Sequence, residues 1–258
     1  MHINKLFDLK GRIAVVTGGY GLYGRPISEA LAEAGAQVII ASRCRERCEV
    51  WAAELMARGL AACGEELDQG NDASILAFCE RVYDRWQHVD VLVNNSVGRS
   101  MEGYAGNLQA WRDSMEVNAT GLFAISRLFL DRMMVRGTGS IINISSVQGV
   151  VAPDFKNYDG TDMTTSPDYQ FHKHGMIGLT KYLAAVGGPC GVRVNAISPG
   201  GLQTPDHREP FIGQYCRRVF LGRMAQYDDI KGAVAFLASE ASGYITGHNL
   251  LVDGGYSC

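Results

Sequence analysis

Apolar residues along this chain fall into two alternating rhythms. Short runs rich in Val and Ile recur at 12–17 (Arg12-Ile13-Ala14-Val15-Val16-Thr17), 37–42, 89–93, 140–144, 192–196 and 249–252. An apolar run with few polar interruptions is a strand buried on both faces, as in parallel sheets. Helix-like segments separate them near 26–34, 45–58, 72–87, 108–135, 166–187 and 226–240, the first with Pro26 in its opening turn. Such alternation predicts right-handed βαβ units. The expected fold is α/β: a doubly wound, Rossmann-type parallel sheet in a three-layer αβα sandwich. Neither a linker nor a repeat divides the chain, so 1–258 reads as a single domain.

In such sheets ligands bind outside the carboxyl ends of the strands, and polar clusters fall there: Asn94-Asn95-Ser96, Ser145-Ser146 and Pro199-Gly200. The first strand runs into Gly18-Gly19-Tyr20-Gly21-Leu22-Tyr23-Gly24, in which Gly19, Gly21 and Gly24 make the GxGxxG pattern ahead of a helix. Strand, glycine turn and helix together form the context of a dinucleotide fingerprint. The missing side chains let the backbone of Gly18, Gly19, Gly21, Leu22, Tyr23 and Gly24 approach a pyrophosphate at a helix N-terminus. The second strand ends on Ser42 and Arg43 where a carboxylate would grip the ribose hydroxyl of NAD. A guanidinium instead pairs with a 2′-phosphate, so NADP(H) is the preferred cofactor, with NAD(H) possible.

Tyr169 and Lys173 sit at i and i+4 in Tyr169-Gln170-Phe171-His172-Lys173, which on a helix places phenol and ammonium on one face. A free phenol, with a pKa of about 10, is a poor acid or base at neutral pH. A fixed cation nearby favours the phenolate and brings it toward the working range. The spacing alone is weak evidence; its place after a dinucleotide fingerprint gives it weight.

Composition narrows the classes. With 258 residues, 47% of them hydrophobic, the chain can bury a substantial core. A net charge of −3 without a basic block leaves nucleic acid no electrostatic footprint. Seven cysteines are scattered without metal spacing, so no metal site is expected. No apolar run nears the ~20 residues of a membrane span, and the start carries no apolar signal-peptide core. A cytoplasmic protein with free thiols is the expectation.

Taken with Asp68, Asn94-Asn95, Asn118, Ser146, Pro199-Gly200 and Thr204, the glycine turn and the Tyr-Lys pair resemble the short-chain dehydrogenase/reductase family from end to end. The resemblance implies roles. Tyr169 would be the acid/base, Ser146 would hydrogen-bond the substrate oxygen, and Asn118 would hold a relay water. Lys173 would hold the nicotinamide ribose and lower the Tyr169 pKa. Asp68, with Gln69, would lie at the adenine, Asn94 and Ser96 along the cleft, and Pro199, Gly200 and Thr204 at the nicotinamide. It further implies an NAD(P)-dependent alcohol–ketone oxidoreductase, assembled as a homotetramer or homodimer through the helices near 108–135 and 166–187.

Three departures stand out. The glycine spacing is that of the longer, epimerase-like branch, although the length and the Val252-Asp253-Gly254-Gly255 ending suit the short one. Ser96-Val97 replaces the usual Ala-Gly. The Ser146-to-Tyr169 interval is about ten residues longer than the family's, and this insertion, near 151–165, reads as too polar for core and as a substrate lid hinged at Gly160. It is similar to dehydrogenases of sugar-nucleotide, gluconate and polyol pathways. Arg99, Gln148 and His207, with a loop at 201–222, then suggest a polar, carbohydrate-like substrate. A sugar epimerase or dehydratase, a 3-oxoacyl-type reductase and a non-catalytic nucleotide-sensing scaffold are the alternatives.

Overall fold

Strands β1 (Ile13–Thr17), β2 (Gln37–Ser42), β3 (Ala62–Glu66), β4 (Val91–Asn94), β5 (Gly139–Ile144), β6 (Val192–Pro199) and β7 (Asn249–Val252) form one sheet in a computed structural model describing residues 2–258. All pairings are parallel, in the order β3-β2-β1-β4-β5-β6-β7. The chain winds outward from β1 to β3, then returns to β4 on the other side of β1. Loops diverge at that reversal and open a crevice above Thr17 and Asn94.

Helices α2 (Gly24–Glu33), α3 (Arg45–Ala57) and α9 (Lys231–Ala238) cover one face of the sheet. The other is covered by α4 (Asp72–Trp86), α6 (Leu122–Arg136) and α7 (Pro167–Gly187). The two-residue alternation of the strands sorts the core. Ala14, Val16, Val38 and Ile40 pack beneath α2 and α3, whereas Val15, Ile39, Leu92 and Ile141 pack with Phe78, Ile125 and Phe129 of the opposite layer. A short helix, α1 (Ile3–Leu6), precedes β1.

The elements depart from the sequence pattern in four places. Strand β3 reads Ala-Cys-Gly-Glu-Glu and carries no β-branched residue; pairing with β2, from Val38↔Ala62 to Ser42↔Glu66, makes it a strand. The segment 108–135 is not one helix: α5 (Leu108–Met115) passes through a π-helical turn, Glu116–Gly121, before α6. A single 3-10 turn, Tyr227–Ile230, precedes α9. The insertion is not too polar for core. Its Val151, Tyr158 and Met163 pack on a third apolar cluster of Val147, Phe211, Tyr215, Val219, Met224 and Tyr256, built around α8 (Phe211–Cys216).

Candidate active site

At the crevice the backbone of the glycine turn is drawn tight. Gly18 has a φ of +62°, a conformation open to glycine, and a Cβ there would press on Ser96 Cα at 3.0 Å. At Gly24, where α2 begins, a Cβ would collide with the Gly18 carbonyl. The turn is strapped across the crevice by Asn95. Its Nδ2 donates to the carbonyls of Thr17 (3.1 Å) and Gly18 (3.0 Å), while Thr17 Oγ1 accepts from the amides of Asn95 and Ser96. Asn95 is legible in the sequence as part of the Asn94-Asn95 run, but its pairing with Thr17 is not, because it joins two loops from distant strands. The open backbone cradle at a helix N-terminus fits a dinucleotide pyrophosphate.

Asn94 is buried and donates from Nδ2 to Ser126 (2.9 Å) and Asn143 (2.8 Å), bracing β4 against α6 and β5. Tyr23 donates to the Gly200 carbonyl at 2.8 Å, which ties the glycine turn to Pro199-Gly200; burial pushes its phenol well above the usual range, so it remains a donor. Ser42 and Arg43 divide their tasks. The Ser42 hydroxyl is engaged with Cys44 and Cys48, whereas Arg43 is exposed and takes part in no ion pair among the described residues. Asp68 closes its own turn onto the Gly70 amide, and Gln69 is buried with its Nε2 on the Val117 carbonyl.

Helix α7 carries Tyr169 and Lys173 up to the same crevice. The Lys173 ammonium lies 5.6 Å from the Tyr169 ring centroid and donates to the Ile144 carbonyl at 2.7 Å, at the end of β5. Only 3% of Lys173 is exposed; burial, with the nearby Arg99 guanidinium, pushes its pKa down to about 7. Ser146 accepts the Gln148 amide on Oγ at 3.1 Å, which leaves its own proton for a ligand oxygen. Asn118 sits in the π turn and pairs its side-chain amide with both backbone groups of Gly98 at 2.8 Å. Single π turns recur at functional sites.

Arg99 lies beside Tyr169, and Gln148 is tied to the insertion. The Arg99 guanidinium lies over the Tyr169 ring, 5.3 Å from its centroid, and has no carboxylate partner among the described residues. Gln148 holds both ends of the insertion's return: its Oε1 accepts from Thr165 at 2.8 Å and its Nε2 donates to Tyr158 at 3.3 Å. Tyr158 stacks on Phe211, 5.6 Å between centroids. Of the insertion's polar groups, Asp154 pairs with Arg218 at 3.1 Å and Asn157 donates to Tyr256 at 2.7 Å, while Lys156, Asp159 and Asp162 are exposed. His207 accepts the Thr204 amide at 3.3 Å and packs on Phe211; burial lowers its pKa. No three-ligand metal cluster occurs, and no helix is long and apolar enough to cross a membrane, among the described residues.

A family model described as enoyl-(acyl carrier protein) reductase matches residues 23–257. The chain belongs to the short-chain dehydrogenase/reductase family. It is similar to the 3-oxoacyl-(acyl-carrier-protein) reductase of Aquifex aeolicus, with 34% identity over 252 residues, 96% of this chain and 98% of the relative. It is equally similar to the 2-dehydro-3-deoxy-D-gluconate 5-dehydrogenase of Bacillus subtilis, with 34% identity over 99% of this chain and 98% of that one. Among solved structures, a gluconate 5-dehydrogenase from Burkholderia cenocepacia, in complex with NADP and tartrate, superposes with a TM-score of 0.90 at 32% identity, covering 99% of each chain. This short-chain dehydrogenase/reductase is thus an NAD(P)-dependent oxidoreductase.

Proposed function

We propose that this enzyme interconverts a secondary alcohol and a ketone on a carbohydrate-like substrate bearing an acid group, with NADP(H) preferred over NAD(H). The observation that carries this reading is Arg99: an unpaired guanidinium held over the Tyr169 ring, where the reacting carbon would lie. The relative solved with NADP and tartrate, a hydroxylated diacid, supports it. Arg43, free at the end of β2, supports the cofactor preference. Of the apolar residues after Thr204, Phe211, Tyr215 and Val219 turn inward and are buried, whereas Phe220 and Leu221 are exposed, so only part of that segment is open to an acyl chain.

The bound nicotinamide supplies or accepts the hydride. In the reducing direction, Ser146 donates its free proton to the substrate carbonyl oxygen and holds it at Tyr169. Tyr169, whose hydroxyl has no protein partner among the described residues, gives that oxygen its proton, and takes it back in oxidation. Lys173, with one proton committed to Ile144, keeps two for the ribose and places positive charge beside the phenol. An acid group on Arg99 offsets the guanidinium that depresses Lys173, so substrate binding favours the ammonium. The insertion, tied to Gln148 and docked on α8, forms the outer wall.

Purified protein would be assayed at the nicotinamide absorbance with both cofactors against sugar acids, sugars, polyols, their phosphates and 3-oxoacyl thioesters. Turnover of hydroxy acids or their keto forms with NADP(H) is expected, and Arg99→Met should raise their KM roughly 10- to 100-fold, the range for a hydrogen bond to a charged group. Faster turnover of neutral sugars or thioesters would overturn the substrate, and tightly retained nucleotide with no net absorbance change would indicate an epimerase. Leu108, Phe171, Tyr182 and Val186 are exposed apolar residues on α5 and α7, and we propose that they are covered in a dimer or tetramer; a monomer by light scattering would contradict this. Seven free cysteines suit the reducing cytoplasm, which cell fractionation checks.

A further inference from the structure

Beneath Tyr169 lies a chain of buried hydrogen bonds that the roles above leave unused. Asp168, one residue before Tyr169, is 2% exposed, and its Oδ2 accepts from Ser114 Oγ at 2.5 Å across 54 residues of sequence. Ser114 in turn accepts from Asn118 Nδ2 at 3.0 Å. Asn118 then closes on Gly98, with Nδ2 donating to the Gly98 carbonyl and Oδ1 accepting its amide.

Every direction in this chain is forced. Gly98 offers one N–H and one C=O, which decides how the Asn118 amide is turned. The second Nδ2 proton therefore faces Ser114, occupying a lone pair there. The single Ser114 proton must go to an acceptor, and the Asp168 carboxylate provides one. The chain thus runs from α7, which bears Tyr169, through α5 and the π turn to the loop after β4, which bears Arg99.

Apart from its place in the first turn of α7, where the helix dipole favours an acid, the carboxylate is poorly provided for. Ser114 is its one side-chain partner among the described residues, and its Oδ1 has none. His172, one turn further along α7 and only 3% exposed, leaves both ring nitrogens unpartnered. Burial and the Lys173 ammonium push His172 down to about 3, so it brings no cation to Asp168. A buried carboxylate held by a single hydroxyl adds little to stability, and an apolar residue of the same size would do as well or better. Such local exceptions are expected at functional sites.

We propose that Asp168 is a positioning residue: acting through Ser114, it holds Asn118 and Gly98 in one arrangement and so sets the Tyr169 helix against the loop carrying Arg99. The proposal rests on the reading of Tyr169 and Arg99 as the reaction site, and its test separates the two. Asp168→Ala, Ser114→Ala, the double variant and Asp168→Asn would be compared for kcat, KM, nucleotide Kd and amide hydrogen exchange over 96–121. Each alanine variant should lower kcat roughly 10- to 100-fold, as expected of a misplacement on the order of 1 Å. Nucleotide Kd should stay within about twofold, and the double variant should be no worse than the worse single one, because both break the same chain. Asp168→Asn keeps an acceptor facing Ser114 and should restore most of the rate. Exchange at Gly98 and Arg99 should rise in the alanine variants and remain slow in the asparagine one. Additive losses, a change in melting temperature alone, or unchanged exchange would overturn the proposal. If the wild-type protein turns over no substrate yet the exchange pattern holds, the chain of hydrogen bonds stands and the oxidoreductase site is misassigned.

Discussion

Replacing Lys173 with methionine should abolish turnover and yet stabilise the nucleotide-free protein in acid. Methionine fills a similar volume without charge. Burial lowers the Lys173 pKa from 10.5 to about 7. At about 1.4 kcal/mol per pH unit, folding with the cation costs at most about 5 kcal/mol below pH 7. Methionine removes that cost but leaves the Ile144 carbonyl, now bonded at 2.7 Å, without its donor, a loss of about 1–3 kcal/mol. The net stabilisation below pH 7 is then roughly 2–4 kcal/mol. The difference closes as pH rises, for a definite reason. Between about 7 and 10.5 the unfolded chain still binds the lysine proton while the folded one sheds it, so wild-type stability rises across that window. By pH 9 only about 2 kcal/mol of the cost remains, which the carbonyl cancels. Urea unfolding of both proteins at pH 6 and pH 9, at one protein concentration, measures the difference directly. A variant less stable than wild type at pH 6, or a gap that ignores pH, would show that Lys173 is not a buried, depressed cation.

Tyr169→Phe removes only the proton-transfer group and should reduce kcat about 10²-fold or more with nucleotide Kd nearly unchanged; comparable turnover would refute its role as acid/base. Arg43→Ala should weaken NADP(H) by roughly 1–3 kcal/mol and leave NAD(H) little altered in titrations, and a wild-type preference for NAD(H) would sink that reasoning. Shortening the insertion to a tight turn uncovers Phe211 and Tyr215, so both a higher KM and a lower melting temperature are expected. The milder Tyr158→Phe breaks only the 3.3 Å bond from Gln148 and should alter KM alone. If neither variant affects kinetics, the insertion lies outside the substrate path.

What could be read from the sequence was local in origin. Apolar runs such as Val38-Ile39-Ile40 define buried parallel strands because both faces of each strand are covered. A glycine turn between strand and helix is legible because a Cβ at Gly24 would meet backbone only a few residues away. Tyr169 and Lys173 share a face through helical geometry alone. Pairings between distant segments were decided elsewhere. Strand β3 owes its conformation to the edge of β2. Whether the Ser42 hydroxyl faces a ligand or Cys48 depends on how α3 packs, and the insertion becomes partly core only because α8 offers Phe211. Asp168 and Ser114 are two unremarkable polar residues until the fold brings α7 against α5. Periodicity and backbone sterics act over a few residues, so sequence alone determined the apolar strands of the sheet, the cradle and the Tyr-Lys pair. Which side chains meet across the crevice is settled by the packing of whole layers, and only the tertiary structure contains that.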